Sequence, residues 1–178
     1  GGARRTRRLR ARPVPVTREL VYGRNAVREA LRGRREVLEL WASERAAGQL
    51  DWLAEGPRPQ VRRERELTEA AGGPDHQGVV AWAEPYPYAD AWELASGEAP
   101  LLACLDQVTD PRNLGAVIRS AAGAGATGVI VPAHGSARVT SAVCRVSAGA
   151  VEHVRVAVVP NLARYLAEVK RDDLWSYA

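Results

Sequence analysis

Leu101-Leu-Ala-Cys-Leu105, Pro111-Arg-Asn-Leu-Gly-Ala-Val-Ile-Arg-Ser-Ala-Ala122, Gly128-Val-Ile-Val131, Thr140-Ser-Ala-Val-Cys-Arg-Val-Ser-Ala148 and Val154-Arg-Val-Ala-Val-Val159 settle the architecture between them. Short, almost wholly apolar runs alternate with stretches whose apolar residues recur at helical spacing. A helix follows at Leu162 to Lys170, and Leu174 to Tyr177 reads as a last strand. Strands without a polar face are buried on both sides, so the pattern predicts an α/β fold whose parallel sheet carries helices on both faces. A functional site is then expected outside the carboxyl ends of the strands.

Upstream, the pattern is that of a smaller α/β unit. Val27, Ala30 and Leu31 lie at helical spacing behind a candidate Asn25 cap, with Gly33 as the stop. Val37 to Trp41 and Gln77 to Trp82 read as strands, Ser43 to Ala54 as a capped helix with Leu50 and Leu53 inward, and Arg63 to Ala71 as another helix. Pro85, Pro87, Gly97 and Pro100 mark a linker. The predicted organisation is a basic tail over 1–19, a substrate-binding unit over 20–84, a linker over 85–97 and a second unit over 98–178.

The chain has 178 residues, 46% of them hydrophobic and 26% charged, which excludes a wholly disordered chain. No apolar run approaches the roughly 20 residues of a membrane span, and no signal sequence is legible, so a cytoplasmic protein without a membrane partner is expected. Cys104 and Cys144 lie far apart and suggest neither disulfide nor zinc site. His76, His134 and His153 have no ligand spacing, so no metal is predicted. The net charge of +4 is a property of the tail, because residues 1–18 hold Arg4, Arg5, Arg7, Arg8, Arg10, Arg12 and Arg18 and no acid, which leaves the remainder at −3. Such a tail can neutralise phosphates.

Two features ask for chemistry. Gly123-Ala-Gly125-Ala-Thr-Gly128 matches a dinucleotide-binding pattern literally, but it closes a helix and enters a strand where that pattern needs the reverse. These glycines are read as a helix stop and turn, and a nicotinamide-dependent oxidoreductase is set aside. The second feature is Asp110-Pro111-Arg112-Asn113, a helix start with Asp110 as N-cap and Pro111 as first residue. Leu114, Val117, Ile118 and Ala121 share one face of that helix; Arg112 and Arg119 share the opposite one. Asn113 sits among the free amides of the first turn, where a phosphate or ribose can be held.

The stretch from Asp110 to Ala121 resembles the first signature motif of the SpoU family of ribose 2′-O-methyltransferases, within the knotted SPOUT superfamily. Tyr22-Gly23-Arg24-Asn25-Ala26-Val27 and His76-Gln77-Gly78-Val79-Val80-Ala81 are similar to the two ends of that family's N-terminal substrate-binding domain, a fold like certain ribosomal proteins. Ser147-Ala148-Gly149-Ala150 and Asn161-Leu162-Ala163 resemble its middle region. The resemblance implies methyl transfer from S-adenosylmethionine to a ribose 2′-hydroxyl, with Arg119 and Asn113 as catalytic residues. It implies large-subunit ribosomal RNA or transfer RNA as substrate, and a homodimer. Arg112, Arg24, His76 and the tail residues Arg4, Arg5, Arg7 and Arg8 are the expected RNA contacts. The family's C-terminal Gly-Glu-Gly and Ser-Leu-Asn-Val-Ser segments, which form the knot and hold the cofactor, have no counterpart before Ala178. The cofactor-binding residues are therefore expected outside this chain, and this chain alone is expected to be inactive. Glu152 lacks the neighbours needed to replace the missing glutamate. A non-catalytic RNA-binding protein derived from a methyltransferase fold is the alternative.

Overall fold

The computed structural model describes residues 17–170 and 174–177. Arg4, Arg5, Arg7 and Arg8 lie outside the described residues. The first unit runs β1 (Glu19–Tyr22), α1 (Arg24–Arg32), β2 (Val37–Ala42), α2 (Glu44–Ala47), a 3-10 turn (Asp51–Glu55), β3 (Gln60–Val61), α3 (Glu64–Ala71), a second 3-10 turn (Pro74–His76) and β4 (Val79–Ala83). Its sheet has the order β1-β4-β2-β3, with β4 antiparallel to β1 and β2, and β3 parallel to β2.

The helix expected over Ser43 to Ala54 is broken in two. Ser43 caps its start, accepting from the Ala46 amide at 3.2 Å. At Gly48, a poor helix former, the chain leaves the helix and re-forms as the turn that buries Leu53. Asn25 does not cap α1. It lies inside the helix, and the first amide is met instead by Gln77 Oε1, which accepts from Arg24 N at 3.0 Å. β3 escaped sequence reading because it has two residues, both exposed.

The second unit runs α4 (Ala91–Ala95), β5 (Leu102–Cys104), α5 (Pro111–Gly123), β6 (Gly128–Pro132), α6 (Ser141–Val146), a 3-10 turn (Ala150–Glu152), β7 (Arg155–Val159) and α7 (Leu162–Val169). Its sheet, β5-β6-β7, is parallel throughout. Every residue of β6 is buried. Val129 and Val131 face Leu114, Ile118 and Val143 of α5 and α6, whereas Ile130 faces the cluster of Leu94 and Tyr165 from α4 and α7. The glycines after α5 are a helix stop: Gly125 takes φ +76° before β6 begins.

Two expectations need correction. Residues 85–97 are not a free linker. Ala89 bridges to Ala157, Asp90 caps α4 through the amides of Trp92 and Glu93, and Ala91, Leu94 and Ala95 are buried against the sheet. The prolines only shape the entry to an amphipathic helix. Leu174 to Tyr177 is not a strand either: Leu174 makes a single bridge and packs beside α7, while Trp175 and Tyr177 are 75% and 91% exposed. One continuous apolar cluster passes from Ala26, Val27 and Ala30 of α1 to Val143, Cys144 and Val151 of the second unit.

Candidate functional site

Helix α5 starts where the sequence places it. Asp110 accepts from the Arg112 amide at 2.7 Å, and Pro111, which has no amide hydrogen to leave unpaired, occupies the first turn. Leu114, Gly115, Ile118 and Ala121 are buried, whereas Arg112, Asn113, Ala116 and Arg119 are exposed. The structure therefore brings Arg112, Asn113 and Arg119 to the open side of one helix. Neither guanidinium has an ion-pair or hydrogen-bond partner among the described residues. Arg112 stands in the partly positive first turn and Arg119 two turns further along the same open side, and these uncompensated cations attract phosphate.

The loop before α5 leaves the carboxyl end of β5 and is pinned to the loop after β6, where Ala137 N donates to Val108 O at 2.8 Å. That second loop is held by Arg138, which donates to the carbonyls of Pro132 and Ala133. Within it the hydroxyl oxygen of Ser136 is buried with no partner. Strand-end loops thus meet on the side from which α5 emerges.

Not every expected RNA contact faces outward. His76 is 3% exposed. Its Nδ1 accepts from Gly78 N at 3.0 Å, so Nε2 carries the hydrogen, 3.0 Å from Thr68 Oγ1. The Thr68 hydroxyl donates in turn to Glu64 O. His76 is thus a turn histidine with both nitrogens spent, a correction to its expected role. Arg24 is half-buried, and its Nε donates to Gln77 O at 3.1 Å, tying the β1–α1 turn to the loop before β4. Gly78, at φ +81°, lets that loop pass Ser43, whose Oγ would lie 2.8 Å from any Cβ there. The His-Gln-Gly triplet is a joint of the fold.

Cys144 is sealed. Burial pushes its thiol up to about 12, outweighing the nearby Arg35 cation. Arg145, its neighbour in sequence, points elsewhere, to Asp75 and over the Tyr22 ring. Sequence reasoning set Glu152 aside and did not single out Arg35, yet the two form a buried ion pair between the units. A signal existed: Glu152 is a lone acid in Gly149-Ala-Val-Glu-His-Val154, and a carboxylate in an apolar run needs a cationic partner.

A groove of about 640 Å³ lies along the open edge of β5, walled by Leu102, Cys104, Leu162, Leu166 and Trp175 and also lined by Ser176 and Tyr177, with Lys170 the only charged lining residue among the described ones. The Tyr165 hydroxyl beside it is already donated to Ala91 O at 2.7 Å. Adenosine and a methionine zwitterion need several polar partners, and beyond the spent Tyr165 hydroxyl the described walls offer only the side chains of Lys170, Ser176 and Tyr177, with no carboxylate. The described walls of this groove thus do not fit the cofactor implied by the signature motif. Among the described residues no cluster of three metal-ligating side chains occurs, and no helix is long and apolar enough to cross a membrane.

Residues 100–178 match the SpoU rRNA Methylase family, and residues 20–89 match the family of RNA 2′-O ribose methyltransferase substrate-binding domains. The chain is 40% identical over 171 residues to the 23S rRNA (guanosine-2′-O-)-methyltransferase RlmB of Pseudomonas putida, covering 88% of this chain and 68% of that protein. The chain belongs to the SpoU family. Another SpoU relative, an uncharacterized tRNA/rRNA methyltransferase of Mycobacterium avium, is 37% identical over 93% of this chain and 58% of its own length. Among solved structures, the SpoU methyltransferase AviRb of Streptomyces viridochromogenes, in complex with AdoMet, superposes with a TM-score of 0.63 at 26% identity, covering 84% of this chain and 58% of AviRb. The chain thus spans little more than half to two thirds of these SpoU proteins.

Proposed function

We propose that this SpoU protein methylates a ribose 2′-hydroxyl of RNA, large-subunit ribosomal RNA before transfer RNA, with S-adenosylmethionine as methyl donor. The observation that carries the reading is the exposed, unpaired set of Arg112, Asn113 and Arg119 on α5, at the carboxyl side of a parallel sheet. The Pseudomonas relative's name specifies guanosine 2′-O-methylation of 23S rRNA, and AviRb binds AdoMet. Both support the same chemistry here. A ribosomal substrate places the protein in the cytoplasm, and the family resemblance supports a homodimer, to be checked by sedimentation at micromolar concentration.

A ribose hydroxyl is a poor nucleophile, so the protein must favour its alkoxide and fix its direction of approach. A guanidinium stays protonated near neutrality, which makes Arg119 an anion holder and not a base. It grips a phosphate and stabilises charge developing on the 2′-oxygen, while the proton leaves to phosphate or water. Asn113 orients the ribose, and Arg112 adds a further phosphate contact.

The test is transfer of tritiated methyl from S-adenosylmethionine to ribosomal RNA by the protein expressed from its complete reading frame, followed by digestion to nucleosides. Wild type labels a 2′-O-methylated nucleoside. Arg119→Lys keeps the charge but loses the planar fork, and activity falls by about 100-fold or more. Near-wild-type transfer by that variant overturns the role given to Arg119. A second reading, an RNA-binding protein without catalysis, draws on the mostly apolar lining that the described residues give this groove. RNA binding with no labelled nucleoside from wild type selects it.

A further inference from the structure

Arg35 emerges from the turn after α1, and every nitrogen of its guanidinium is occupied. Nε and Nη2 grip the two oxygens of Glu152 at 3.1 and 2.7 Å, Nη1 reaches Glu19 at 2.9 Å and Glu84 O at 3.3 Å, and Nη2 also touches Cys144 Sγ at 3.3 Å. The side chains of Arg35 and Glu152 are each 1% exposed. Around them the surfaces close tightly. A Cβ on Gly33 would lie 2.9 Å from Glu152 Cβ, and one on Gly149 would lie 2.5 Å from Glu29 Cβ. Tyr86 packs under the guanidinium and donates its hydroxyl toward the carbonyls of Val151 and Val154, and His153 pairs with Glu29 at 2.8 Å.

A buried ion pair is a weak source of stability, because desolvation offsets most of the attraction, but its geometry is directional. The apolar contacts beside it, Ala26 and Val27 against Val143 and Val151, are not. Glu152 closes the 3-10 turn that packs on α5, the helix carrying Asn113 and Arg119.

We propose that the Arg35–Glu152 fork is a positioning device which fixes the angle between the RNA-binding unit and the α5 site, and so determines which ribose reaches Arg119. Its catalytic consequence rests on the proposed methyl transfer; its mechanical consequence does not. Arg35 and Glu152 touch no reacting atom. Losing the fork leaves RNA affinity in place while misdirecting the bound RNA, and misplacement of about 1 Å can cost up to 100-fold in rate.

The test uses the protein from its complete reading frame, with Cys104→Ser and spin labels on cysteines replacing the exposed Ala54 and Ala163, one in each unit. Wild type gives one narrow inter-label distance. In Arg35→Met/Glu152→Met no charge is left buried and unpaired, so the chain folds, yet the distribution broadens. Arg35→Lys keeps the cation without the fork and broadens it as well, and serves if the double variant does not fold. Both variants bind ribosomal RNA within about twofold of wild type, while kcat/KM for methyl transfer falls by about tenfold or more. A distribution as narrow as wild type in either folded variant, or an unchanged kcat/KM despite broadening, overturns the proposal. If wild type transfers no methyl group, the methyltransferase reading fails, and the distance measurement decides the mechanical claim by itself.

Discussion

Gly115 meets Val146 so closely that a Cβ on the glycine would lie 2.9 Å from Val146 Cβ and 3.1 Å from Val143 O. The glycine of the signature helix is therefore a contact residue, which lets α5 and α6 touch along their backbones. Gly115→Ala should destabilise the protein by about 1–3 kcal/mol, since the neighbour on one side is a backbone carbonyl that cannot step aside. Because α5 carries Arg119 one turn further on, activity should fall by more than the folded fraction does. Thermal unfolding and methyl transfer on the same samples check both; an unchanged Tm shows that α6 can yield.

Tyr86 makes stability sensitive to alkali. Burial pushes its phenol up to about 12, above the ordinary 10. A folded-state value raised in this way gives stability that is complete below pH 10 and is lost as pH climbs toward 12. Tyr86→Phe strands the Val151 carbonyl, while Val154 O keeps Arg34 as a donor, and should cost about 1–3 kcal/mol at neutral pH. The deficit should then shrink between pH 10 and 12, because only wild type loses this contribution there. Urea unfolding at several pH values measures it, and a constant gap would show that Tyr86 does not titrate with folding.

The 178-residue chain by itself should give no detectable calorimetric signal with S-adenosylmethionine. Among the described residues its strand-edge groove is walled mostly by apolar side chains, and Lys170 is the only charged one. Micromolar affinity would show that residues of this chain already make the cofactor pocket.

Deleting residues 1–16, which hold six of the seven tail arginines, should weaken RNA binding and flatten its salt dependence. Each phosphate that the shortened chain leaves unneutralised takes about 0.9 off the log–log slope on duplex nucleic acid. Sequence preference should hardly change, because phosphate contacts carry no base information. An identical slope would leave recognition to the folded units.

Legibility followed burial. The second sheet was readable because Val129, Ile130 and Val131 have no polar face, and the start of α5 because Asp110 and Pro111 are local signals. Arg112 and Arg119 could be placed on one open face by helical spacing, and Asn113 by its place in the first turn. What stayed hidden depends on partners far along the chain. Gln77 caps a helix that begins 53 residues earlier, and Arg35 meets Glu152 across 117 residues. Nothing near Pro85 announced that the following segment would pack as a helix, since α4 has only five residues. Leu174 to Tyr177 is apolar enough to read as a strand, but composition does not supply a partner strand, and only Leu174 forms a bridge.

The reach of Gln77 back to the first turn of α1 has a consequence for hydrogen exchange. A helix of nine residues is too short to persist alone in water, and this one starts on an acceptor borrowed from the loop before β4. Its early amides should therefore be protected only while that loop is docked. The β1–α1 turn and the entry to β4 should then exchange as one cooperative unit, with a shared opening free energy, despite lying at opposite ends of the first unit.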